Sequence, residues 1–363
     1  MLIPSSFLTS IGVDQDSIDS DTDLIQRWVD TYESPKSRES AKKEGIRLLL
    51  WLAYQKKGLS EFTMEDALPF KRFLGNPTPK RIWVGRKKGK SQDAEWRPFV
   101  SGLSEASSRT AFAYLRSLYK FLLTIKAVQR NPFSDAKVKF RNVDCRSFQK
   151  RSFTPAARGH IVRFFVENPL SLEKRDLSRR KLLFFFAFHT GARRSEIASA
   201  LFSDVQTDKN GLYWWHVIGK GQKSSQVPVG EELLSLMVEH LSQLGVAPGS
   251  YSSLHFPKLP LISSLSGADV PMSPHRIWSL FKETAAMISN EALATGDKDS
   301  SDELGQASTH WLRHSAGSFQ LSELGLTLAE VRDNLRHASI ATTSLYVDSE
   351  DRIRHDKVRK ASF

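Results

Sequence analysis

The feature that most narrows how this chain can fold is the punctuation of residues 309–346. His310 and Arg313 stand three apart, so on a helix they share one face. Gly325 can end that helix in the left-handed conformation. Thr327, followed three residues later by Glu330, has the spacing of a capping box that opens a second helix. Then comes Leu335-Arg336-His337-Ala338-Ser339-Ile340-Ala341-Thr342-Thr343-Ser344-Leu345-Tyr346. One short helical unit therefore carries two imidazoles, a guanidinium and a phenol. Taken singly, each of these groups is ordinary helix surface or core; read with two upstream segments, they become a chemical set.

Those segments are Thr190-Gly191-Ala192-Arg193-Arg194-Ser195-Glu196 and Val217-Ile218-Gly219-Lys220-Gly221-Gln222-Lys223. Together with the final stretch they resemble the tyrosine recombinase (phage integrase) family. Its motifs run T-G-x-R-x-S-E, a G-K-G-x-K hairpin, H-x-L-R-H, and L-G-H with a tyrosine nine residues beyond its histidine. All occur here in that order. Two positions depart from the pattern. Arg336 replaces the usual glycine, so either a left-handed residue there costs on the order of 1 kcal/mol or the turn differs. Asp348 stands where the family often has histidine.

The resemblance implies a mainly α protein: a helical, SAM-like core-binding domain, then a mixed α/β catalytic domain with a small β-hairpin sheet. It implies a site-specific recombinase that cuts and rejoins duplex DNA through a 3′-phosphotyrosyl intermediate, with no metal, cofactor or ATP. Such chemistry must neutralise phosphate charge, take a proton from the attacking oxygen and return one to the departing oxygen. Guanidiniums suit the first demand because their paired donors match phosphate oxygens. The family pattern assigns this to Arg313 and to Arg193, two after the glycine, rather than to adjacent Arg194. It makes Tyr346 the nucleophile, His310 the acceptor of its proton, His337 a donor to the phosphate and Lys220 the general acid, with Lys223 the next choice. Glu196 either orients Arg193 through a salt bridge or is a plain helix-surface glutamate.

Composition fits a polyanionic partner. Lys plus Arg number 52 against 40 acidic residues, for a formal charge of +12 and a pI near 9.7. The single cysteine, Cys145, excludes an internal disulfide and suits a reducing cytoplasm. No apolar run approaches a membrane span, so double-stranded DNA, and not a membrane, is the expected partner. His310 and His314 stand four apart like a metal pair, but Trp311 follows where a zinc hydrolase would have glutamate. A relaxing type IB topoisomerase and a non-catalytic DNA-binding relative are the remaining alternatives.

In chain order, an acidic lead-in over residues 1–20 precedes a bundle of about four helices over 21–135. Its strongest helical pattern runs Phe112, Leu115, Leu118, Leu122, Ile125 and stops before Asn131-Pro132. Within it, residues 71–90 interleave cations with Trp83; a solvated loop is one reading, and a DNA-tracking loop that uses Lys80, Arg81, Arg86, Lys87, Lys88 and Lys90 is the other. A basic linker over 136–152, with Lys139 and Arg141, would follow the phosphate backbone as the two domains clamp DNA. The catalytic domain spans 153–346. It should contain an apolar helix ending at Thr190, a hairpin of strands near 213–218 and 226–229, helices from Glu231 and Pro274, and a polar surface loop over 295–308. The charged tail, 347–363, either frays or, as the family implies, docks on the next protomer of a homo-tetramer assembled on paired sites.

Overall fold

Helix starts with polar caps and proline at the first position divide the chain into short rods, which collect into two compact units, Met1–Val143 and Asp144–Phe363. The structure, a computed structural model, describes residues 3–85, 95–141, 151–219, 223–246, 256–337, 339–344 and 359.

The first unit contains α1 (Ser5–Ser10), α2 (Asp19–Asp30), α3 (Pro35–Tyr54), α4 (Met64–Gly75), α5 (Lys80–Trp83), α6 (Glu105–Thr124) and α7 (Pro132–Asp135). Thr63 caps α4, and the Asp66 carboxylate accepts the Thr63 N–H at 3.0 Å. Gly45 lets α2 lie against α3, because a Cβ there would stand 2.7 Å from Ile25 Cγ2. The core is aromatic: Phe62 stacks on Phe133 at 4.8 Å, and buried Tyr119 donates to the Leu59 carbonyl at 2.7 Å.

Three expectations change here. The lead-in over residues 1–20 is part of the bundle it was expected to precede: Ile3, Phe7, Leu8, Ile11 and Ile18 are buried in its core, with Phe7 edge-on to Trp83 and Trp96. Trp83 is fully buried and packs edge-on to Phe73 at 4.8 Å, so the aromatic among the cations of 71–90 belongs to the core and not to a solvated loop. Residues 136–141 of the expected linker lie back on this unit. Ala136, Val138 and Phe140 pack against its core, while Lys71 Nζ and Arg109 Nη2 donate to the Lys139 and Arg141 carbonyls, each at 2.9 Å.

The second unit opens with α8 (Pro155–Glu167), capped by Thr154. Its central element is α9 (Lys174–Thr190), whose Leu182, Leu183, Phe184, Phe186 and Ala187 are buried. Then come α10 (Arg194–Ser199), the strands β1 (Val205–Thr207), β2 (Tyr213–Ile218) and β3 (Ser224–Pro228), α11 (Glu231–Gln243), α12 (Pro274–Ala294), α13 (Lys298–Gln306), α14 (Thr309–Ser322), α15 (Leu328–Leu335) and α16 (Ile340–Thr343). The strands form an antiparallel sheet in the order β1-β2-β3, with Trp215 opposite Val227. Phe186 meets Trp215 edge-on at 4.8 Å, and Phe184 stacks on Phe281 at 4.8 Å, so α9 ties sheet and helices into one core. The loop expected over 295–308 is instead largely α13. The Asp297 carboxylate accepts the Ser300 N–H at 3.0 Å, and Leu304 is buried among otherwise polar neighbours. No helix of the described residues is long and apolar enough to cross a membrane.

Candidate active site

The site forms where three helix ends meet. Helix α9 stops at Gly191, which adopts the left-handed conformation with φ +57°. Any side chain there would collide with Leu335, whose Cδ2 lies 2.2 Å from where a Cβ would be. The turn that follows places Arg193 just ahead of α10. Glu196, buried on the first turn of α10, folds back: Oε2 accepts the Arg193 N–H and Oε1 accepts Arg193 Nη1, both at 2.7 Å. Burial would raise the Glu196 carboxyl, but the Arg336 charge, the Arg193 backbone and side-chain hydrogen bonds and the Arg193 charge together hold it below the usual range. Of the two readings of Glu196, the salt bridge is the one the geometry contains. Arg194 points outward and is exposed.

Arg313 comes from α14, one turn after His310. It is 2% exposed; Nη1 donates to the Gly191 carbonyl at 2.5 Å and Nη2 to the Leu335 carbonyl. The Arg193 Nη2 donates to the next carbonyl along, that of Arg336, at 3.1 Å. The two guanidinium forks thus meet at adjacent carbonyls on the end of α15.

His337 follows that end, its Nδ1 2.9 Å from Thr343 Oγ1 on α16. Burial, then the charges of Arg313, Arg193, Arg336 and His310, push its pKa down to about 4, so the ring is neutral at pH 7. His310 is also lowered, by partial desolvation and by Arg313, Arg193 and Arg151. Its ring meets that of His314 edge to face at 4.6 Å, and the pKa of buried His314 falls to about 3. Beside these groups an open cleft of about 970 Å³ is lined by Arg193, Gly219, Lys223, Arg332, Arg336 and His337, among others.

Of the residues expected from sequence, Arg193, Glu196, His310, Arg313 and His337 converge. Lys220 and Tyr346 lie outside the described residues, as do Arg86, Lys87, Lys88 and Lys90. Lys80 and Arg81, on α5, and Lys139 and Arg141 are exposed on the first unit. Two participants were not anticipated as such. Thr343, six residues after His337, has no signature beyond its hydroxyl. Arg336 stood out only as a missing glycine; it does take the left-handed conformation, with φ +55°.

Residues 165–352 match the family model described as the phage integrase family. Over 269 residues the chain is 25% identical to tyrosine recombinase XerD of Chlorobaculum tepidum, an alignment covering 72% of this chain and 78% of the relative. Over 258 residues it is 28% identical to tyrosine recombinase XerC of Xanthomonas axonopodis pv. citri, covering 70% and 72%. Among solved structures it is similar to XerH site-specific recombinase bound to palindromic difH substrate in a post-cleavage complex. That match has a TM-score of 0.61 and 16% identity, and covers 96% of this chain and 89% of that one. It is also similar to a lambda integrase dimer bound to a COC′ core site, with a TM-score of 0.58, 12% identity, and coverage of 92% and 96%.

Proposed function

The chain belongs to the phage integrase family of tyrosine recombinases, and from that premise we propose how its side chains cut and rejoin duplex DNA. It is a site-specific DNA recombinase. The observation that carries the assignment of roles is the meeting of Arg193 and Arg313 at consecutive carbonyls, those of residues 336 and 335. Two forks so placed can close on the non-bridging oxygens of one phosphate, where fixed donors stabilise the charge that develops in the transition state.

In this reading the Tyr346 oxygen attacks the phosphorus and its proton passes to His310. A neutral imidazole can accept it, and burial, then the charges of Arg313, Arg193 and Arg151, lower the His310 pKa and so favour the neutral ring. The bond from phosphorus to the 5′ oxygen breaks, Lys220 protonates that oxygen, and the 3′ end is left as a phosphotyrosyl ester. If the Thr343 hydroxyl donates into Nδ1 of His337, the ring hydrogen sits on Nε2, the tautomer that can donate to a phosphate oxygen. Attack by another 5′ hydroxyl reverses the step, so strands exchange without ATP or metal. Partners on paired sites would form a homo-tetramer in the cytoplasm, and the exposed cations of the first unit would hold the DNA backbone.

The test uses a nicked suicide duplex carrying the sequence that the full chain selects from a randomised library. A covalent adduct that persists in chelator and disappears in Tyr346→Phe is the expected result. Absence of adduct from a duplex that the protein binds tightly would leave a non-catalytic binder.

A further inference from the structure

Arg336 occupies a backbone conformation that favours glycine, φ +55° and ψ +47°, yet its side chain is drawn inward and only 4% exposed. A buried guanidinium is costly unless it is paired; Nε is buried without a hydrogen-bond partner among the described residues, and the partners of both Nη nitrogens belong to the site. Nη2 pairs with Glu196 Oε2 at 2.9 Å and reaches the Gly191 carbonyl at 3.2 Å. Nη1 donates to the Thr190 and Asn334 carbonyls at 3.3 and 2.6 Å. The guanidinium lies over the Trp215 ring of β2, 5.3 Å from its centroid.

Two of these partners, and the Arg336 carbonyl itself, also hold a phosphate-facing group. Gly191 also takes Arg313, Glu196 also takes Arg193, and the Arg336 carbonyl takes the other Arg193 nitrogen. The charges matter as much as the geometry. Glu196 paired with Arg193 alone would cancel the charge that Arg193 must present to phosphate. With Arg336 on its second oxygen, the triad keeps a net positive charge, and Arg193 need not neutralise the carboxylate by itself.

We infer that Arg336 is a positioning residue for the recombination reaction: through Glu196 and the Gly191 carbonyl it fixes both catalytic arginines and keeps Arg193 electrostatically available to the phosphate. The inference rests on the recombinase reading above. It assigns Arg336 no contact with substrate, although the residue lines the cleft.

The variants are Arg336→Gly, which relaxes the backbone and removes the charge, Arg336→Met, which keeps a long side chain without it, and Arg336→Lys. Single-turnover cleavage of the selected suicide duplex is measured at saturating protein, alongside affinity by gel shift and thermal unfolding. The expected result is a tenfold or greater loss of cleavage rate in the glycine and methionine variants, with affinity changed less than twofold and part of the rate restored by lysine. Wild-type rates in Arg336→Gly and Arg336→Met would overturn the inference. So would loss of folding in both, which would make Arg336 a structural staple only. Failure of the wild-type chain to form any adduct would instead defeat the recombinase reading itself.

Discussion

The cations assigned to DNA on the first unit and the arginines of the site in the second are held in opposite ways. On the first, Lys80, Arg81, Lys139 and Arg141 stand in solvent; the contacts that Lys139 and Arg141 make to Lys71 and Arg109 run through their backbone carbonyls, so their side chains are not aimed by them. On the second, Arg313 and Arg336 are almost wholly enclosed, and each guanidinium is fixed by carbonyls at helix ends. Loose charge can attract any phosphate backbone, whereas an oriented fork can stabilise one particular geometry. Affinity and chemistry should therefore be separable by mutation.

The largest effect that would sharpen this contrast is at the enclosed arginines. Arg313→Lys keeps the charge but loses the fork, and cleavage should fall by about 10²–10³-fold. Because Nη2 serves the Leu335 carbonyl, stability should fall too, by about 1–3 kcal/mol if that acceptor loses its partner. Arg193, whose side chain is 33% exposed, should lose cleavage to a similar extent in Arg193→Lys while its unfolding temperature barely moves. Equal melting shifts in the two variants would break the distinction between an enclosed and a semi-exposed fork.

The same contrast explains what could be read from the chain in advance. Fixed geometry needs special turns, and turns leave spacing in the sequence. Gly191 before Arg193, the Thr327–Glu330 capping box and the Ser273-Pro274 start of α12 are local devices, and each forms where its spacing indicates. What stayed hidden depends on tertiary burial. Leu304 makes α13 a packed helix although its neighbours are serines and charges, and Trp83 reads as an aromatic among cations until Phe73 and Phe7 are seen around it. Arg336 was legible only as a departure; its partners lie about 140 residues upstream, at Glu196 and Thr190, and no local pattern announces them.

Acid should separate the units next. All ten histidines lie between His160 and His355, hence in the second unit. His240 is fully buried, bonds Ser178 at 2.8 Å, and is pushed down to about 4 by burial and then by Arg179 and Arg175. It is neutral when folded, while the unfolded chain takes up a proton below about 6.5. Stability is therefore complete above pH 6.5 and declines as pH falls toward 4, by about 3 kcal/mol for this group alone. In the first unit, burial raises Asp21, a shift that favours the folded state as pH falls. Hydrogen exchange followed from pH 7 to 5 should show α11 losing protection while α3 and α6 keep theirs, and His240→Gln should flatten the α11 response. Parallel loss in α3 would break the assignment.

The smallest effects belong to the exposed cations. Lys80→Gln, Arg81→Gln, Lys139→Gln and Arg141→Gln should each weaken DNA binding only a few-fold. Each that meets a phosphate should lower the slope of log affinity against log salt by about 0.9. Cleavage of already bound duplex should be unchanged, because the arginine forks are built from residues of the second unit alone. The converse holds for Arg336→Gly, which should leave the salt slope intact while slowing cleavage. If a surface glutamine slowed cleavage of saturated complexes as strongly as it weakened binding, charge in the first unit would be aimed after all, and the division between attraction and orientation would fail.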